Sequence, residues 1–242
     1  MTKKATLLIR NLEQIYPMIP TIKTSVSNGF IAIHHDRILA LGQGTGSVCV
    51  DKDTRIVEGR SHIAIPGMID VNLDLHHCSS MRELWEIGEL LVRRGTMIVH
   101  SQPLAEKFIN VLHPGRVVDA HFTEVKDPML IYDLHHPKTI NSPRFCISSD
   151  YPYTDCLDQL LVAKMCALHH PHLHPLQILA ACTLYPALAL GFRDLGKLKR
   201  GGYANIILLE GNDFASVLHR FHGDESMQII KDGVRLWPYL LI

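Results

Sequence analysis

No excess of charge of either sign marks this chain, because 24 Lys and Arg residues balance 24 Asp and Glu residues. The electrostatic footprint of a nucleic-acid or anionic-membrane binder is therefore missing, and neither partner is expected. Long apolar runs are missing near the start as well: Ala5 to Ile9 is followed at once by Arg10, Asn11 and Glu13. That stretch is too short for a signal peptide's apolar region or a membrane span. Cys49, Cys78, Cys146, Cys156, Cys166 and Cys182 show no C-x-x-C spacing and lie mostly among apolar residues. Such a pattern reads as reduced core thiols in a cytoplasmic protein. There is no internal repeat, low-complexity tract or flexible linker. What is present is ample apolar material, 47% of 242 residues, enough for a sizeable core in one or two domains.

The most informative stretch is Ile65-Pro66-Gly67-Met68-Ile69-Asp70-Val71-Asn72-Leu73-Asp74, a Pro-Gly turn leading into an apolar strand. Leu7 to Leu12 and Ile31 to Gly42 give further strands with a short polar turn between His34 and Arg37. Leu176 to Gly191 carries a helix with a Thr-Leu-Tyr-Pro-Ala turn, and Gly201 to Leu209 and Ile229 to Val234 supply closing strands. In this order the motifs resemble the amidohydrolase superfamily, metal-dependent hydrolases of C–N bonds, with imidazolonepropionase-like sequences nearest among subfamilies. The resemblance implies a (β/α) barrel joined to a small β-sandwich built from both ends of the chain. It also implies a His-x-His pair at the end of the first barrel strand, where this sequence has Asn72 and Asp74. Imidazole is the commonest protein metal ligand, and catalytic zinc takes His, Cys or carboxylate rather than carboxamide. The departure thus retains the fold and removes the standard ligands.

Length points to a shortened barrel. Eight βα units need about 250 residues, whereas Gly67 to Gly191 supplies 191 − 67 + 1 = 125. The segment Ile147-Ser148-Ser149-Asp150 resembles the end of the family's eighth strand, whose Asp shuttles protons, yet only 150 − 74 − 1 = 75 residues separate Asp74 from Asp150. In that interval the pattern predicts a helix over Met81 to Arg94, stopped by Gly95, and strands at 96–100, 117–121, 129–133 and 144–148. A helix is expected over Leu104 to Leu112. The expected fold class is α/β: a truncated (β/α) barrel remnant at 64–199 plus a composite β-sandwich from 1–63 and 200–242.

Two functions follow from different weights on the same residues. Strand alternation puts Asp70, Asn72, Asp74 and His76 on one face, so Asp74, His76, His100 and His121 form a displaced ligand set for zinc or iron. A metal there would lower the pKa of bound water toward 7 while Asp150 took the proton. Against this, 16 histidines, several in adjacent pairs, will place some rings near strand ends without purpose, and Asp150 could simply cap a following helix. The favoured expectation is a degenerate homologue without a metal cofactor, binding a small-molecule ligand or a partner. A metal-dependent hydrolase of non-peptide C–N bonds is the alternative, and a structural dimerisation module is a third.

An unclosed parallel sheet leaves edges that a second copy would cover, so a homodimer is expected, with the turn His169 to Pro175 as the competing cover. Gly42-Gln43-Gly44-Thr45-Gly46 precedes no predicted helix and is not read as a dinucleotide fingerprint. No serine or cysteine sits in a recognisable nucleophile elbow.

Overall fold

The computed structural model describes residues 3–19, 25–75, 78–101, 116–117, 130–134, 139–153, 156–221 and 227–237. Two compact units divide the chain: Met1–Gly67 with Lys197–Ile242, and Met68–Gly196. The first begins with β1 (Leu7–Ile15), β2 (Val26–His34), β3 (Arg37–Gln43), β4 (Arg55–Glu58) and β5 (His62–Pro66). β1 is long enough to pair twice along one edge, first with β4 and then with β5, both parallel, while β2 pairs antiparallel on its other edge. A bulge at Asn11 (φ 58°) shifts the alternation, so Leu12 joins Leu7 and Ile9 on one buried face. Without that shift a strict two-residue period would turn Leu12 to the opposite side.

The second unit supplies β6 (Met68–Leu73), α1 (Met81–Arg93), β7 (Thr96–Ser101), β8 (Arg116–Val117), β9 (Leu130–Tyr132) and β10 (Phe145–Ile147). Helices α2 (Gln159–His169), α3 (Pro175–Cys182) and α4 (Leu184–Ala189) complete it. β6, β7 and β8 form one parallel sheet, and β9 and β10 form a parallel pair. Ser80 caps α1 by accepting Glu83 N–H, and Leu84, Ile87 and Leu91 recur at helical spacing to bury the helix against Leu73 and Val99. Asp158, not Asp150, caps α2, accepting Leu161 N–H at 3.0 Å. Tyr132 is fully buried; its hydroxyl lies 2.9 Å from His169 Nδ1, and its ring meets His170 edge-on at 5.5 Å. The histidine-rich turn therefore packs onto the end of β9.

The chain then returns to the first unit with β11 (Ile206–Glu210), α5 (Phe214–Leu218), β12 (Met227–Lys231) and β13 (Val234–Trp237). β11 pairs antiparallel with β5 and with β12, so the sheet order is β13-β12-β11-β5-β1-β2-β3. Ile206, Leu208 and Ile230 from the C-terminal strands share one core with Leu7, Ile9, Ile31 and Ile33 from the N-terminal ones. No helix among the described residues is long and apolar enough to cross a membrane.

Candidate functional site

β6 and the carboxyl end of β10 come together through side chains rather than a backbone ladder. Gln159, wholly buried at the start of α2, donates both amide hydrogens, one to Ile69 O on β6 and one to Ile147 O on β10, each at 2.8 Å. Its Oε1 lies 3.4 Å from Thr96 Oγ1 at the start of β7. A carboxamide has just the two donors needed to hold two carbonyls that a buried seam would otherwise leave unpaired. Gln159 carries no signal in its sequence neighbourhood, since its partners lie 12 and 90 residues away.

One step further along β6, Asp70 is completely buried. Its Oδ1 accepts the Ser148 hydroxyl at 2.6 Å and Asn72 N–H at 3.1 Å; its Oδ2 accepts Ser149 N–H at 3.0 Å and the Ser149 hydroxyl at 2.5 Å. A buried carboxylate is costly unless its oxygens are filled by donors, and here four donors fill them. The Ser148 hydroxyl oxygen also lies 3.0 Å from Asn72 O and accepts Asp150 N–H at 3.2 Å. Ser148 and Ser149 thus serve as a polar lock between β6 and β10. The sequence did hold a clue: an Asp inside the run Met-Ile-Asp-Val and a Ser-Ser pair directly after Phe-Cys-Ile are polar groups that need buried partners.

Beyond the lock, Asn72 Nδ2 donates to Asp150 Oδ1 at 2.9 Å. Asp150 stands just past β10 with φ 55°, in the left-handed region that Asp tolerates better than most residues. Asp74 N–H donates to Tyr151 O at 2.9 Å, which ties the chain after β6 to the chain after β10. The shared face expected for Asp70, Asn72, Asp74 and His76 is not continuous. β6 ends at Leu73, and its register against β7 shifts between Asp70 and Leu73, so Asp70 is buried while Asn72 is exposed. His100 lies near the carboxyl end of β7, one residue before Ser101, which is in register with Leu73. His76, the side chain of His100, and His121 fall outside the described residues, as does the expected helix from Leu104 to Leu112.

Buried thiols and a phenol surround this region. Burial, with the Asp70 carboxylate adding to it, pushes the Cys146 thiol up to about 12, and burial pushes Cys166 to about 12 as well. Burial likewise raises the Tyr132 phenol to about 12. These acids stay protonated in the folded chain to higher pH than an unfolded thiol of about 8.5 or phenol of about 10. The unfolded chain then binds fewer protons, so stability falls as pH rises from about 9 toward 12 and is unaffected by these groups below that window. Urea midpoints should drop steadily between about pH 8.5 and pH 10.5, with the drop reduced when Cys146 and Cys166 are both replaced by Ala; an unchanged slope in that variant counts against the thiols.

Residues 137–235 match the model of the amidohydrolase family. An imidazolonepropionase from Deinococcus radiodurans is 32% identical over 76 residues, which is 31% of this chain and 18% of the relative. The match therefore spans less than a fifth of that enzyme's length. Among solved structures, a zinc-bound adenosine deaminase from Xanthomonas campestris shares the fold at a TM-score of 0.69 and 11% identity, covering 97% of this chain and 93% of that one. A variant of the atrazine chlorohydrolase from Arthrobacter aurescens, complexed with zinc and atraton, aligns at a TM-score of 0.65 and 14% identity, with 95% of each chain covered. An amidohydrolase from a Sargasso Sea environmental sample gives 0.68 at 12% identity, covering 95% and 92%. Residues 137–235 are thus similar to the amidohydrolase family, and the solved structures share the mixed α/β fold of this chain.

Proposed function

We propose that this chain is an amidohydrolase relative that has given up the superfamily's metal chemistry and works by binding a small-molecule ligand or a partner. The observation that carries the reading is the direct Asn72–Asp150 hydrogen bond. An amide N–H that donates to a carboxylate is oriented to pair with it, whereas a shared cation would need lone pairs from both side chains. Two residues of the seam support it: Asp70 is filled by its four donors, and Asn72 turns its amide N–H to Asp150, so neither offers a zinc a ligand in this arrangement. Association of two copies through the barrel remnant belongs to the same reading, since β8 and β9 end the described parallel sheets.

Elemental analysis of protein purified without an affinity tag or chelator tests this reading. Less than one zinc or iron per chain is expected, with no hydrolysis of a panel of cyclic and exocyclic amides above the buffer rate. A stoichiometric metal, lost together with hydrolysis in Asp150→Asn, would instead establish the displaced site with Asp74, His76, His100 and His121 as its candidate ligands.

A further inference from the structure

A cleft of about 400 Å³ lies at the turn between β2 and β3, within the first unit. Its lining combines Lys3, His34, His35, Arg37 and Arg200 with a single carboxylate, Asp36. Arg37 neutralises that carboxylate at 3.2 Å and lies over the Tyr203 ring at 3.6 Å, so both charges are spent internally. Lys3 and Arg200 form no side-chain hydrogen bond or ion pair among the described residues. Among the described residues, two cations from distant parts of the sequence are thus left over at one cleft, in a chain whose formal charge is zero.

The frame around them is fixed. His35 takes φ 56°, and its N–H donates to Thr6 Oγ1 at 2.9 Å. The segment carrying Arg200 is tied to the turn by three backbone bonds: Ile38 N–H to Gly202 O, Gly201 N–H to Ile38 O and Ala204 N–H to Asp36 O, at 2.8 to 2.9 Å. From the other side Gly233, φ 78°, approaches so closely that a Cβ there would stand 1.7 Å from His35 O. Only glycine permits that contact. His34 Nδ1 lies 2.7 Å from Lys4 O, which makes it the protonated nitrogen and sets the ring's orientation, and the two histidine rings sit 4.4 Å apart. A rigid backbone with unspent cations is suited to anion capture, because little freedom is lost when the ligand arrives.

We infer that this cleft binds a small organic phosphate, with Arg200 and Lys3 on the dianion, the histidine rings beside it, and the organic part against Leu39. Arginine pairs with phosphate through its planar fork, and lysine adds a second point charge, matching a group of nearly two negative charges. The volume is that of a small-ligand site rather than of a bare ion.

Isothermal titration of the full chain with glycerol phosphate at low ionic strength tests the assignment. Saturable one-to-one binding is expected, weakened about tenfold in Arg200→Gln and again in Lys3→Gln, with Arg200→Lys intermediate. Both residues are exposed, so the variants should fold normally, and an unchanged circular dichroism spectrum verifies that. No saturable heat, or equal affinity in the double variant Lys3→Gln/Arg200→Gln, would overturn the site. Inorganic phosphate in a parallel titration should bind more weakly; equal or tighter binding would overturn the ester as its ligand.

Discussion

Replacing Asp70 by Ala should unfold the second unit at far lower denaturant than any change at the exposed end of the same strand. The substitution leaves the buried Ser148 and Ser149 hydroxyls and Ser149 N–H without their acceptor, and with them the Asn72 N–H, which is only part-buried. Each stranded donor costs about 1–3 kcal/mol, and partial repair by water brings the expected total to about 4 kcal/mol. Against a typical stability of about 5–15 kcal/mol, that is a large share. Asp70→Asn keeps the shape but exchanges one acceptor oxygen for a donor, so about half the loss is expected. Asn72→Ala, by contrast, withdraws a single donor from the buried Asp150 carboxylate and should cost about 1–2 kcal/mol, well below the loss at Asp70. Urea unfolding followed by circular dichroism reads all three. Equal midpoints for Asp70→Ala and Asn72→Ala would mean that the four bonds to Asp70 contribute no more to the fold than the single bond from Asn72 to Asp150.

The second large effect is expected at Gln159. Gln159→Leu preserves bulk but withdraws both amide donors, so Ile69 O and Ile147 O lose their partners at the seam between β6 and β10. Two buried carbonyls without partners cost about 2–4 kcal/mol together. The damage should be local: amide hydrogen exchange in β10 and the first turn of α2 should accelerate, while β1, β2 and β11 of the first unit keep their protection. Uniform loss of protection across both units would show that Gln159 does not act through this seam.

Much of the architecture can be read from short-range patterns, because those patterns are local physics. α1 declares itself by Leu84, Ile87 and Leu91 at helical spacing with Gly95 past its end, and it forms from Met81 to Arg93. The alternation in Ile31 to Ile33 and Ile38 to Leu41 gives β2 and β3, and the Pro66-Gly67 turn precedes β6. The site was only partly legible. Asn72 and Asp150 stood out as departures and matches to a motif, but their mutual bond spans 78 residues. The Ser148–Ser149 lock on Asp70 likewise depends on two strands meeting, and Gln159 sits in an otherwise ordinary helix start. The alternation expected through Asp74 runs beyond the strand, since β6 stops at Leu73 and slips register against β7 before it does. Asp150 looked like a helix cap from composition alone; the helix begins later, and Asp158 does that work.

The central claim is that Asn72 and Asp150 are paired with each other rather than through a cation. Crystals grown in the presence of zinc and measured at its absorption edge test that most directly. The Asn72 amide is expected in contact with the Asp150 carboxylate, with no anomalous peak within bonding distance of either Asp150 or Asp74. A peak at full occupancy about 2 Å from Asp150 Oδ, with imidazole nitrogens completing the coordination, would contradict it.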